Sequence, residues 1–198
     1  MTKIIKVNLK TTKYNIIINH DIFSSINDIH EQYFQNRAKI VIFDNNLINK
    51  NRFKLFINKL GKNTPKISVP AGEKSKSLSR LEKIYNKLFS LKIDRKTVIY
   101  AFGGGVIGDL AGFVSATVMR GVDYVQVHTT LLSQIDSSVG GKTAINSIHG
   151  KNLIGSFYQP KLVLIDTKTL ETLPKKQMIS GYAEMVKYAL IKDKTFFS

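Results

Sequence analysis

Apolar and polar residues alternate along residues 3–9 and again along 13–19, with Thr11 and Thr12 between them. This period of two predicts a β-hairpin. The helical spacing of Ile22, Phe23, Ile26 and Ile29 predicts a helix from Asp21 to Tyr33. The run AKIVIFD (38–44) has no polar face and reads as a strand buried on both sides in a parallel sheet. An amphipathic helix from Asn46 to Leu60, ended by Gly61, and a short strand Lys66–Val69 follow. PAGEKSKS then leads into a helix from Leu78 to Leu91, and TVIYAF (97–102) is the next buried strand. Behind three glycines come a helix from Val106 to Met119, a strand YVQVHTT (124–130) and a short helix from Leu131 to Ser138. A Gly-Gly-Lys turn and a long polar loop precede the last strand, KLVLIDT (161–167), and the chain from Lys175 to its end is predicted helical.

Strands alternating with helices predict an α/β fold: a doubly wound, mainly parallel, Rossmann-like sheet with an N-terminal β-hairpin. From Leu173-Pro174 the pattern turns purely helical, as at the entry to an all-helical second domain. The expected division is an α/β domain over 1–172 and the start of a helical domain over 173–198. Composition fits a soluble globular chain: 198 residues, 43% hydrophobic, with a mean hydropathy of -0.08. No run of about 18 apolar residues predicts a membrane span, and MTKIIKVNLK reads as a strand rather than a signal-peptide core. Without cysteine there is neither a disulfide framework nor a thiolate metal site, which fits a cytoplasmic setting. The net charge of +16 raises the question of nucleic acid. The lysines are spread along the chain among Asn and Ile, without a dense basic block or a recognisable nucleic-acid motif. The expectation is a solvated lysine surface, with a minority of lysines binding anionic ligands and no nucleic-acid partner.

Four segments carry candidate chemistry. Gly103-Gly104-Gly105-Val106-Ile107-Gly108-Asp109 matches G-x-G-x-x-G between a strand and a helix. Residues without Cβ let backbone approach a pyrophosphate at a helix N-terminus, although a triple glycine is equally a tight turn. Asp109 is placed either to cap that helix or to accept a hydrogen bond from a nicotinamide. Pro70-Ala71-Gly72-Glu73-Lys74-Ser75-Lys76 reads first as a helix N-terminus with an acidic first turn; its carboxylate and lysines also suit ribose and phosphate. The stretch from Thr129 to Asn146 is crowded with small and hydroxylated residues around Asp136 and Lys142, and Gly150-Lys151-Asn152 follows. Two lysines, an asparagine and glycine-opened backbone make an anion cradle. In Gly181-Tyr182-Ala183-Glu184-Met185-Val186-Lys187, Glu184 and Lys187 share a helix face. Such a pair is by default an exposed salt bridge; its functional alternative is a metal-ligating carboxylate beside a substrate-binding ammonium.

Taken together, GGGVIGDLAGF, RGVDYVQVHTTLLSQIDSSVGGKTAIN, GKNLIGSFYQP, TLP and GYAEMVKY resemble the 3-dehydroquinate synthase family, in order and at suitable spacing. The resemblance runs almost end to end and is dense from Gly103 to Lys187. It implies an NAD- and metal-dependent (zinc or cobalt) lyase that converts 3-deoxy-D-arabino-heptulosonate 7-phosphate into 3-dehydroquinate and phosphate, in the shikimate route to chorismate and the aromatic amino acids. In that chemistry NAD transiently oxidises a ring hydroxyl, which acidifies the neighbouring carbon–hydrogen bond; phosphate is then eliminated, the carbonyl is reduced again, and NAD is regenerated. Related sugar-phosphate cyclases share the scaffold, whereas GGKTAIN with GKNLIG favours the phosphate-eliminating synthase over polyol dehydrogenases.

By the same resemblance, Asp44, Gly72, Glu73, Lys76, Gly104, Gly105, Gly108, Asp109, Thr129, Thr130, Thr169 and Thr172 would contact NAD. Asp136 would bond a substrate hydroxyl, and Lys142, Lys151 and Asn152 would surround the substrate and its phosphate, the two lysines also reaching the cofactor. Arg120 would reach the neighbouring subunit's site in a homodimer, Lys187 would bind the substrate, and Glu184 would be the first metal ligand. Two departures stand out. His128 occupies a position where proline is common in the family, and the family's two metal-binding histidines, which belong to a C-terminal helical domain, have no counterpart among His20, His30, His128 and His149. The expectation is therefore a truncated chain with an incomplete metal site, whose isolated activity is doubtful and whose alternative is an inactive NAD-binding fragment.

Overall fold

The architecture follows from four strands buried on both faces. In the computed structural model, which describes residues 2–10, 12–192 and 196, the strands β3 (Lys39–Asp44), β5 (Val98–Gly103), β6 (Tyr124–His128) and β9 (Leu162–Asp166) are buried almost throughout. With β1 (Lys3–Asn8), β2 (Lys13–Asn19) and β4 (Lys66–Val69) they form one seven-stranded sheet in the order β1-β2-β9-β6-β5-β3-β4. Among the described residues of this sheet the β1–β2 pair is antiparallel and the remaining neighbours run parallel. The α/β, mainly parallel reading of the sequence therefore holds, with the N-terminal hairpin attached through β2 to β9.

Alternate residues of the inner strands feed two apolar layers. Val98, Tyr100 and Phe102 face α1 (Ile26–Phe34) and α2 (Asn51–Leu60), where Phe23, Phe53, Phe56 and Phe102 pack with ring centroids 4.8–5.5 Å apart. Ile99 and Ala101 face α3 (Leu78–Ser90) and α4 (Gly105–Thr117). Ser77 caps α3 by accepting from Arg80 N, and Thr130 caps the short α5 (Leu131–Ile135) by accepting from Ser133 N. The final helix, α6 (Lys175–Lys192), lies against α5, so closely that a Cβ on Gly181 would come 2.5 Å from Leu131 Cγ. The expected helix beyond residue 192 falls outside the described residues apart from Phe196.

The structure corrects the sequence reading in several places. The helices expected from Asp21 and from Asn46 each open with a separate 3-10 turn, Ile22–Ser25 and Asn45–Leu47. The helix after the glycines ends at Thr117, and Met119 and Arg120 turn out of it with φ of 52° and 64°. The short helix expected through Ser138 stops at Ile135. The largest difference concerns the long polar loop, which is instead an antiparallel hairpin, β7 (Lys142–Ser147) and β8 (Gly150–Phe157), laid over α4. Only Thr143 and Ile145 of these strands turn fully inward, so two buried residues carry an alternation too short to read. Glycine makes the close approach possible: a Cβ on Gly155 would lie 2.2 Å from the Thr143 carbonyl oxygen across the hairpin. Replacing Gly155 by Ala should therefore force the strands apart and cost about 1–3 kcal/mol, read as a lower urea midpoint; an unchanged midpoint would refute the tight pairing.

Candidate active site

Parallel strands end together, and in an open α/β sheet the crevice beyond their carboxyl ends is where ligands collect. A cavity of about 620 Å³ lies at that edge, over the ends of β3, β5, β6 and β9. Eight of the sequence candidates line it: Asp44, Gly72, Gly104, Gly105, Thr129, Thr130, Thr169 and Thr172. Asp44 sits at the end of β3, its Oδ1 accepting from Asn46 N at 2.9 Å, and burial pushes its carboxyl above the usual range. Gly104 is the N-cap of α4, and a Cβ there would close to 3.0 Å on Thr130 Cγ2. Gly104, Gly105 and Val106 line the cavity, so the N-terminus of α4 opens on it through two residues without Cβ, the arrangement that receives a pyrophosphate. Thr169 is fixed from below, donating to the Asp166 carbonyl at 2.7 Å and accepting from Gln134 Nε2 at 3.1 Å.

A second cavity, about 740 Å³, opens between α5, α6 and the β7–β8 hairpin, lined by Asp109, Asp136, Lys142, Asn152 and Tyr188 among others. Tyr188 donates to Asp136 Oδ1 at 2.8 Å, and this bond to the carboxylate raises the tyrosine's pKa. Lys142 lines this cavity and not the first.

Beside the second cavity lies a buried ammonium. Lys76 is 3% exposed, and its Nζ donates to Asp109 Oδ2 at 2.6 Å and to Asn152 Oδ1, with Glu73 Oε1 3.7 Å away. The backbone of the same loop is tied to the hairpin, since Asn146 donates to the Lys76 carbonyl at 2.8 Å and to Glu73 Oε1 at 2.9 Å. Of the two roles open for Asp109 the structure removes the first: α4 has no side-chain cap, and the carboxylate instead binds Lys76. Burial raises the pKa of Asp109, opposed by the lysine beside it.

Other candidates stand apart from both cavities. Gly108 is buried in α4 beside His128 and Gln126, so the third glycine of the motif serves helix–strand packing. Lys151 is exposed on β8. Arg120 occupies the turn after α4, at the edge where the strands begin. Glu184 and Lys187 form the ion pair that is the default for their spacing. Among the described residues no group of three or more His, Cys, Asp or Glu is placed to hold a metal, and Glu184 alone does not make such a centre. His149 is exposed at the hairpin turn and His128 is sealed in the core, so neither replaces the family's metal-binding histidines. Sequence reasoning did not single out Arg52 and Tyr188, which line the two cavities; the weak signals were an arginine in a lysine-rich chain and a tyrosine following Lys187.

Comparison with known proteins agrees with this geometry. The chain matches the family model described as 3-dehydroquinate synthase N-terminal over residues 66–180. The 3-dehydroquinate synthase of Rhodospirillum rubrum is 54% identical over 131 residues, covering 66% of this chain and 34% of the relative. That of Prochlorococcus marinus is 44% identical over 198 residues, covering 98% of this chain and 54% of the relative. The chain thus spans about half the length of relatives that match it end to end. Among solved structures, 2-deoxy-scyllo-inosose synthase complexed with carbaglucose-6-phosphate, NAD+ and Co2+ superposes with a TM-score of 0.86 at 28% identity, covering 96% of this chain and 52% of that one. An NADH-dependent butanol dehydrogenase from Thermotoga maritima shares the fold, with a TM-score of 0.69 at 16% identity over 88% of this chain and 48% of its own.

His128 has a consequence for pH. Its ring is buried at the end of β6, with Nε2 3.3 Å from Gln126 Oε1, and burial pushes its pKa down to about 4. Above an unfolded value of about 6.5 the ring is neutral in both states. Between there and about 4 the unfolded chain takes up a proton that the folded ring refuses, so stability falls as pH falls through that window. The loss by pH 4 is about 3 kcal/mol. In urea titrations at pH 7 and pH 4.5, His128→Gln should lose less stability between the two than the wild type; an equal loss would place His128 outside this effect.

Proposed function

We propose that this chain, which belongs to the 3-dehydroquinate synthase family, carries the NAD-binding part (1–172) and the first segment of a helical metal- and substrate-binding part (173–198) of a cytoplasmic, homodimeric, NAD- and divalent-metal-dependent lyase. Its reaction is the conversion of 3-deoxy-D-arabino-heptulosonate 7-phosphate to 3-dehydroquinate with release of phosphate. The observation that carries this reading is a pair of cavities lined by successive turns of the same two helices, Gly105 and Leu132 in the first and Asp109 and Ile135 in the second: one is glycine-opened and ends on a helix N-terminus, the other is lined by a carboxylate, an ammonium and an amide. Hydride exchange next to phosphate elimination needs such adjacency, because the oxidised carbon and the departing phosphate belong to one small substrate molecule.

The dinucleotide supplies a reversible hydride acceptor. The chain's own residues do the rest. Asp44 accepts from ribose hydroxyls, the N–H groups at Gly104 and Gly105 take the pyrophosphate, and Thr129 and Thr130 flank the nicotinamide side. Lys142 and Asn152, with Lys151 from the hairpin, bind the substrate phosphate, and Asp136, oriented by Tyr188, holds a substrate hydroxyl. Lys187 exchanges its bond to Glu184 for one to the substrate, and Arg120 serves the partner subunit. A second reading, a cyclase acting on a different sugar phosphate, is favoured by the likeness to 2-deoxy-scyllo-inosose synthase.

Calorimetry should show one NAD site in this chain, and Asp136→Asn should leave NAD affinity unchanged. In a chain extended over the full length of its relatives, the same substitution should lower NAD- and metal-dependent phosphate release from the heptulosonate substrate by about 10²–10⁴-fold. Failure of the extended wild-type chain to release phosphate would exclude the synthase reaction, and release from a hexose phosphate instead would favour the second reading.

A further inference from the structure

The cofactor cavity has two walls that arise far apart in the chain. One is the segment after β3, with Asp44, Asn46, Leu47 and Lys50; the other is the 3-10 segment Thr167–Thr172 after β9, with Thr169 and Thr172. No strand pairing holds them together, because β3 and β9 are separated in the sheet by β5 and β6. A guanidinium spans the gap. Arg52, the second residue of α2, lines the cavity, and its Nη2 donates to Asp166 Oδ2 and to Asp21 Oδ1, the latter at 2.8 Å. The guanidinium also lies 5.1 Å above the Phe23 ring.

Asp166 is completely buried, and its place in the second wall is exact in chemical terms: its Oδ1 accepts from Lys168 N at 3.0 Å and caps the Thr167–Thr172 segment, while its carbonyl receives the Thr169 hydroxyl at 2.7 Å. A buried carboxylate of this kind requires a cation, and removing one partner leaves an uncompensated charge. Asp21, in contrast, is the solvent-facing partner, with 41% of its side chain exposed and Lys168 3.7 Å away as a second cation. The two bonds of Arg52 are therefore unequal. The bond to Asp166 joins the walls, and the bond to Asp21 is an outer ion pair.

The geometry points to Arg52 as a positioning residue for the dinucleotide: through Asp166 it sets the distance between the Asp44–Lys50 wall and the threonines of the Thr167–Thr172 wall. This rests on reading the cavity as the NAD site. It goes beyond that reading in giving the cofactor's binding energy a determinant that acts through Asp166, on an element the ligand-contacting glycines do not touch.

NAD titration calorimetry on the 198-residue chain tests it, with circular dichroism used to choose a temperature at which every variant is folded. Arg52→Met should weaken NAD binding about tenfold, Arg52→Lys, which keeps the cation, should recover part of that loss, and Asp21→Asn should stay within about twofold of wild type. If Arg52→Met lowers only the melting temperature and keeps wild-type NAD affinity, the residue is merely structural and the inference fails. It fails equally if Asp21→Asn weakens binding as much as Arg52→Met does. Should Arg52→Met not fold, Arg52→Lys decides: weaker binding than in Asp21→Asn upholds the strut, and wild-type affinity overturns it. A wild-type chain without NAD affinity refutes the cavity's assignment, and the strut with it, and that result is visible before any variant is compared.

Discussion

A lysine ammonium withdrawn from water must be surrounded by acceptors, since its effective desolvation cost is several kcal/mol. Lys76 meets this demand with Asp109 from the glycine helix, Asn152 from the second hairpin and Glu73 from its own turn. Three segments that no backbone ladder joins are thereby held at one point. Asp109 and Asn152 line the polar cavity, and α4, which carries Asp109, opens the first cavity at its N-terminus, so the relation between the two depends on this charge being satisfied. Asp109 shows the cost from the other side: burial disfavours its charged form and raises its pKa, and the lysine offsets that only in part.

This node can exist because the sheet presents it with a firm edge. Parallel strands buried on both faces end in register, and their loops leave together toward one side. Asp44, Gly104, Thr129 and Asp166 all sit at such ends, on strands whose interiors are buried. Aromatic packing of Phe23, Phe53, Phe56 and Phe102 braces α2 and, with it, Arg52. Side chains of the site are thus carried by backbone that the core has already positioned, which is what a constellation of small polar residues needs.

How much of this was legible follows from the kind of signal each part emits. The strands 38–44 and 97–102 are unbroken apolar runs, and such runs have few alternatives in a chain that alternates strand and helix. Gly103 to Asp109 announced a close backbone approach, and eight candidates chosen around it and the resemblance do line one cavity. The β7–β8 hairpin emitted almost nothing, because apolar Leu153 and Phe157 point outward among Lys, Asn and Gly and the inward residues are few, so no alternation marks a buried face. Glu184 and Lys187 were legible as neighbours by helix geometry, whereas the bond from Tyr188 to Asp136 joins residues 52 positions apart.

The sequence by itself determined the α/β class, the strands that build the sheet, the glycine-opened helix start and the family. These are properties of local order, readable because hydrophobic period and backbone permissiveness are written residue by residue. Tertiary structure alone decided that Asp109 binds a lysine rather than capping its helix, that Gly108 packs rather than lines, and that Arg52 reaches Asp166 across 114 positions. Each of these depends on which charges are taken out of water together, and desolvation is a property of the packed chain that no single segment carries.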